Sequence, residues 1–220
     1  MKYSNTITSF LFIFLILFRL PVEASDYRNE FVHANNLYSK KQYAKSADAY
    51  ETLIQKGVRN GYLFYNLGNA YIRMGETGSA ILNYVRAKSL IPRDENLAAN
   101  LKFAIQQTLD KIEPPPLGTL NILFFWVNDF SLNELIFFSL CLNIIFWVNL
   151  ALWLYFPSLK IARNALLFVL LLSFISVGIK IKNESDLKLG VILAENIEVK
   201  SGHSLDTITL FQLHEGALVT

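Results

Sequence analysis

The stretch Phe64-Tyr65-Asn66-Leu67-Gly68-Asn69-Ala70-Tyr71, followed by Gly75, Ala80, Tyr84, Ala87 and Pro92, decides the fold. Phe64, Leu67 and Tyr71 recur at helical spacing, and so do Ala80, Tyr84 and Ala87, with Gly75 as a stop between the two runs. The pattern is a helix, a turn and a second helix, closed by Pro92, which cannot continue a helix. Gly68 and Ala80 are small where two helices of one hairpin cross closely. Tyr84 is expected to fill the gap toward the next unit. Ala34-Asn35 stands 34 residues before Gly68-Asn69, and Tyr50 stands 34 residues before Tyr84. Self-similarity at that period marks stacked helical hairpins.

The upstream copy is weaker. Phe31, Ala34, Leu37 and Tyr38 mark its first helix; Tyr43, Ala47, Tyr50 and Leu53 mark its second, which ends at Gly57 and Arg59-Asn60-Gly61. His33 and Ser46 stand where Leu and Ala are usual in such a unit, and His33 is expected to pack. Downstream, Asp94 caps a fifth helix running to about Leu109, with Leu97, Leu101 and Ile105 on one face. Residues 25–113 therefore read as a mainly α domain. The pattern resembles the tetratricopeptide repeat (TPR): two repeats plus a capping helix, with Ala34, Leu67, Gly68, Tyr71, Ala80, Tyr84, Ala87 and Pro92 in structural positions. Such arrays usually need about three units for stability, so a cap, the membrane or a partner is expected to help.

The chain of 220 residues is 53% hydrophobic, with a mean hydropathy of +0.33. The excess sits in blocks. Lys2 and the apolar run at residues 7–18, before Val22-Glu23-Ala24, read as a secretory signal over residues 1–24; an uncleaved anchor is the alternative. Either places the next domain outside the cytoplasm. Glu113-Pro114-Pro115-Pro116-Leu117-Gly118 reads as a stiff spacer separating that domain from the membrane. Residues 114–131 as a whole form this linker and an aromatic segment suited to the interface. Residues 132–156 and 161–179 are each long enough for the ~20 residues of a membrane span, with a turn at Pro157-Ser158-Leu159-Lys160 between them. Asn143 and Asn149 in the first span are read as hydrogen bonding to the neighbouring helix. By parity, the C-terminal block returns to the side of the first domain.

Residues 187–220 carry strand-type composition in Val191-Ile192-Leu193, Ile197-Glu198-Val199 and Thr207-Ile208-Thr209-Leu210. With Ser201-Gly202-His203-Ser204 and Leu213-His214-Glu215-Gly216, the block resembles the first half of a bacterial SH3-like domain. A half barrel leaves open edges: either the chain is truncated or a partner completes it. The order of modules is similar to the E-type protein of the Bat (bacterial aerotolerance) family. That resemblance implies a cell-envelope protein acting beside MoxR-type ATPases and von Willebrand A-type membrane proteins, in tolerance of oxidative or envelope stress.

The net charge of +2 argues against a nucleic-acid partner. The single cysteine, Cys141, excludes a disulfide or a C-x-x-C motif within one chain. No metal-ligand spacing, nucleophile turn or phosphate loop stands out, so no catalytic residue, metal or cofactor is expected. The candidate site is the concave face of the repeats: Arg28, Phe31, Asn35 and Tyr38 on one helix, and Tyr62, Tyr65, Asn69, Ile72 and Arg73 on the equivalent helix of the next repeat. Asn35 and Asn69 hold either a peptide backbone, since an amide both donates and accepts, or merely the neighbouring helices. The expected function is a non-enzymatic scaffold at the extracytoplasmic face of the inner membrane. The alternative is an envelope sensor whose tail binds cell wall or peptide and signals through the membrane hairpin.

Overall fold

Two caps show how this sequence starts its helices. In the computed structural model, which describes residues 27–110, 118–186, 189–202 and 208–219, the Asn60 side chain accepts the Tyr62 N–H at 2.8 Å. The Asp94 side chain accepts the Leu97 N–H, also at 2.8 Å. Each satisfies a donor that a helix leaves open at its first turn. Five helices result: α1 (Tyr27–Ser39), α2 (Tyr43–Gln55), α3 (Gly61–Met74), α4 (Thr77–Leu90) and α5 (Glu95–Gln107). Between α3 and α4, Gly75 adopts a left-handed φ of 86°, so the chain reverses without a Cβ clash.

Helices α1 and α2 form one hairpin and α3 and α4 the next, with α5 stacked on α4. Ala34, Leu67, Ala80, Tyr84, Ala87, Leu97 and Leu101 lie in one buried cluster. A Cβ at Gly68 would stand 2.6 Å from the Tyr84 ring. Tyr84 thus lies on the backbone of its own hairpin, and does not simply reach toward the next unit. Ser46 is fully buried, yet its hydroxyl donates to the Ala34 carbonyl at 2.9 Å, which removes the desolvation cost of a buried polar group. His33 does not pack; it is exposed.

A short helix α6 (Thr119–Leu123) and a 3-10 turn (Phe125–Asn128) lead into α7 (Leu132–Trp153), a 3-10 turn (Pro157–Leu159) and α8 (Lys160–Asp186). Ser131 and Glu134 close a capping box at the start of α7, the reciprocal arrangement that fixes a helix entry. The stretches Leu132–Trp153 and Pro157–Ser185 are long and apolar enough to cross a membrane. Only 11% and 22% of their apolar windows are buried, whereas the core helix of a soluble protein would be covered. At ~1.5 Å per residue, α7 spans about 33 Å, close to the ~30 Å hydrocarbon thickness of a bilayer. Helix α8 continues past the apolar run that ends near Ile179, and its polar end carries Lys180 and Glu184, 4.0 Å apart. The expected interhelical hydrogen bond of Asn149 is not made: its Oδ1 is buried without a partner among the described residues.

Among the described residues the C-terminal block forms four strands: β1 (Gly190–Val191), β2 (Asn196–Lys200), β3 (Thr209–His214) and β4 (Leu218–Val219). They pair antiparallel as β1 with β4 and β2 with β3, in register Val191 to Leu218 and Ile197 to Leu213. The two small sheets do not close into a barrel. They are not left free either. Val191 and Leu218 pack on the helical core. The Glu215 carboxylate accepts the Gly78 N–H at 2.7 Å, and Asp110 accepts the His214 N–H at 2.6 Å.

The spacer expectation also changes. Arg93, at the end of the second hairpin, pairs with Glu134 at the mouth of α7 and lies 4.5 Å from the centre of the Phe130 ring. The helical domain thus touches the mouth of the membrane-length hairpin at Arg93. Residues 1–24, the prolines 114–116 and His203 lie outside the described residues.

Candidate protein-binding groove

Helices α1, α3 and α5 present one face, and the 34-residue period sets its chemistry. The Tyr50 hydroxyl donates to Asn35 Oδ1 at 2.5 Å, and Asn66 Nδ2 donates to the same oxygen at 3.0 Å. One period later, the Tyr84 hydroxyl donates to Asn69 Oδ1 at 2.8 Å and Asn100 Nδ2 donates to it at 2.9 Å. Asn100 also donates to the Tyr65 hydroxyl at 3.1 Å. The ring pairs repeat as well: Phe31 with Tyr50 at 5.9 Å, Tyr65 with Tyr84 at 6.0 Å. Burial pushes the Tyr50 and Tyr84 hydroxyls above their ordinary pKa, so both stay protonated donors at neutral pH.

Asn35, Tyr38 and Asn69 line one pocket of about 210 Å³ together with Tyr50 and Asn66. Arg73 is exposed, and hydrogen bonding to Tyr38 beside it pushes its pKa up. Ile72 is half-buried against the core. Tyr62 stands 54% exposed and Arg28 is exposed; neither lines the pocket. Asn35 and Asn69 therefore serve the helix stack through their carbonyl oxygens, and both reach the same pocket.

Asn66, Asn100 and Phe103 were missed by reading single helices. Asn66 and Asn100 stand one period apart, and the period also points to Phe103. Tyr62, Tyr65, Asn69 and Ile72 advanced by 34 residues give Asn96, Ala99, Phe103 and Gln106, all exposed on α5. Phe103 is 53% exposed. Helix α5 thus carries, at the same period, a row of exposed side chains matching the one on α3.

A second cavity of about 300 Å³ lies between α2 and α4, lined by Glu51, Tyr71, Asn83, Arg86 and Leu193 among others. The Tyr71 hydroxyl donates to Glu51, and burial followed by this carboxylate pushes its pKa up. Among the described residues, no group of three or more His, Cys, Asp or Glu side chains is placed to hold a metal ion.

These features define a membrane-associated helical-repeat protein with a small docked β segment. In comparisons with known proteins, no family model matches the chain and no curated protein matches it significantly.

Proposed function

We propose that this protein is a non-enzymatic, membrane-anchored scaffold of TPR type that binds a protein partner on the face built by α1, α3 and α5. The observation that carries this reading is the repeated Tyr–Asn–Asn network around the pocket at Asn35 and Asn69. It fixes a polar floor, and exposed Tyr62 and Arg73 on α3 and Phe103 on α5 offer aromatic and cationic contacts. The pocket, at about 210 Å³, is below the ~300–1,000 Å³ of a small-molecule site, which favours a side chain or backbone of a bound chain.

In this reading the repeats and the SH3-like tail face the periplasm at the inner membrane, as the module order of Bat-type E proteins implies. Partners are then von Willebrand A-type Bat membrane proteins and, through them, a MoxR-type ATPase system, in support of oxidative or envelope stress tolerance. A second reading, an envelope sensor, gains from one observation. The tail contacts the repeats through Glu215 at Gly78 and His214 at Asp110, so a ligand on the tail would bear directly on the repeat domain.

Photo-crosslinking tests the groove. A benzophenone side chain at Tyr62 or Phe103 is expected to trap a discrete partner in cells, and one at Lys45 on α2 is not. Arg73→Glu should weaken the Tyr62 adduct. Equal adducts from all three positions, or none from the groove, would contradict the reading.

A further inference from the structure

The connection into α7 carries more apolar surface than a link between two folded units needs. Leu120, Ile122, Leu123 and Phe125 are 49%, 65%, 66% and 67% exposed. The segment is nevertheless fixed. Phe124 and Val127 pack with Leu135 and Ile179 in a small buried cluster, and Trp126 Nε1 donates to Ser176 Oγ at 3.2 Å. One side of the segment thus grips both long helices, and the other turns apolar side chains outward.

Its height along the hairpin is readable. Arg93 with Glu134, Lys180 with Glu184 and Asn183 with Asn121 at 2.6 Å form a polar ring at the mouth of the hairpin. The segment descends from that ring: Asn121 sits at it through Asn183, and Trp126 reaches Ser176, one turn of α8 below Lys180 and about 6 Å along the axis. Interfacial helices bury their apolar face at this depth, about 5–10 Å into the headgroup and acyl boundary. The apolar surface runs on into the hairpin: Phe130, packed on the same cluster, meets Phe138 at 5.8 Å between ring centres, and Phe137 and Phe138 are themselves exposed on α7, where their surroundings are lipid if the helix crosses a bilayer. That continuity identifies the occupant.

We propose that residues 119–128 are a lipid-binding collar, a third contact with the bilayer seated at the level of the headgroups. The collar and the Arg93 contacts fix the helical repeats flush against the membrane, with their groove at a set height. The collar goes beyond the groove reading and does not depend on it.

The test uses the full chain in liposomes, with Cys141→Ser and a single introduced cysteine carrying an environment-sensitive fluorophore. At Leu123→Cys, and again at Ile122→Cys, emission should be blue-shifted and quenched more by a spin label near the lipid headgroup than by one near the chain end. At Ile144→Cys, in the middle of α7, the order should reverse. Water-like emission at positions 122 and 123, with Ile144→Cys quenched from the deep label, would overturn the collar. Blue-shifted emission there without lipid quenching would also overturn it, in favour of a second copy or a protein partner. An Ile144→Cys probe insensitive to lipid labels would remove the bilayer on which the collar rests.

Discussion

At the scale of residues, the two positions that matter most are Gly68 and Asn69. Gly68 lets the Tyr84 ring lie on α3, since a Cβ would approach it to 2.6 Å. Gly68→Ala is expected to destabilise the helical domain by about 1–3 kcal/mol through overpacking, despite the ~1 kcal/mol that alanine gains in helix propensity. Gly178, with nothing within 4 Å of its Cβ position, is the control: Gly178→Ala should leave stability unchanged or raised. Chemical unfolding in detergent, followed by far-UV circular dichroism, reads both. Asn69 accepts two hydrogen bonds, and Asn69→Ala leaves the buried Tyr84 hydroxyl without its acceptor, while Asn100 keeps its bond to Tyr65, at a cost of about 1–3 kcal/mol. Loss of binding in that variant would be ambiguous, which is why Tyr62, Phe103 and Arg73 are the better probes. The sequence made Gly68 legible, because a small residue between bulky ones at a fixed period has a packing reason. It left the use of Asn69 open. An amide in a groove faces either a ligand or its neighbours, and only the positions of Tyr84 and Asn100 decide which of its atoms are engaged.

At the scale of elements, helix α4 is the informative case. Glu76 at its N-cap makes no side-chain capping bond, and the missing acceptor arrives from Glu215, 137 residues away. Glu215→Ala should cost about 0.5–2 kcal/mol, as loss of a cap does. It should also speed hydrogen exchange at the Gly78 amide while α1 and α2 stay protected. The second attachment is sensitive to acid. The His214 N–H, donated to Asp110, holds that carboxyl below its ordinary value of 3.8. A group with a lowered folded pKa contributes fully above its unfolded pKa and loses its contribution as pH falls through the folded one. The Asp110 contribution to tail docking should therefore be lost as pH falls below about 3.8. Protease sensitivity of the tail should follow that profile and flatten in Asp110→Asn. Helices and membrane-length runs were legible because their signals are local. The tail's strand composition was legible for the same reason. Its docking was not: the Asp110–His214 contact spans 104 residues, and nothing in the periodicity of either segment announces it.

At the scale of the whole molecule, the helical repeats are tied to the long hairpin at Arg93 and to the tail at Gly78 and Asp110. Repeats and tail touch, so both lie on one side of any bilayer that the hairpin crosses. The exposed Arg93–Glu134 pair is worth only about 0.2–1 kcal/mol, and the Phe130 face adds about 0.5–1 kcal/mol. Arg93→Ala is accordingly expected to loosen the docking without unfolding either part. The central claim is this one-sided body on a membrane-crossing hairpin, and thiol labelling in sealed vesicles tests it most directly. With Cys141→Ser, single cysteines at Tyr62 in the groove and Glu198 in the tail should react with an impermeant reagent from the same side. Ser158→Cys, in the turn between α7 and α8, should react only from the opposite side. Labelling of Ser158→Cys from the same side as Tyr62→Cys, or of Glu198→Cys from the other, would contradict the account.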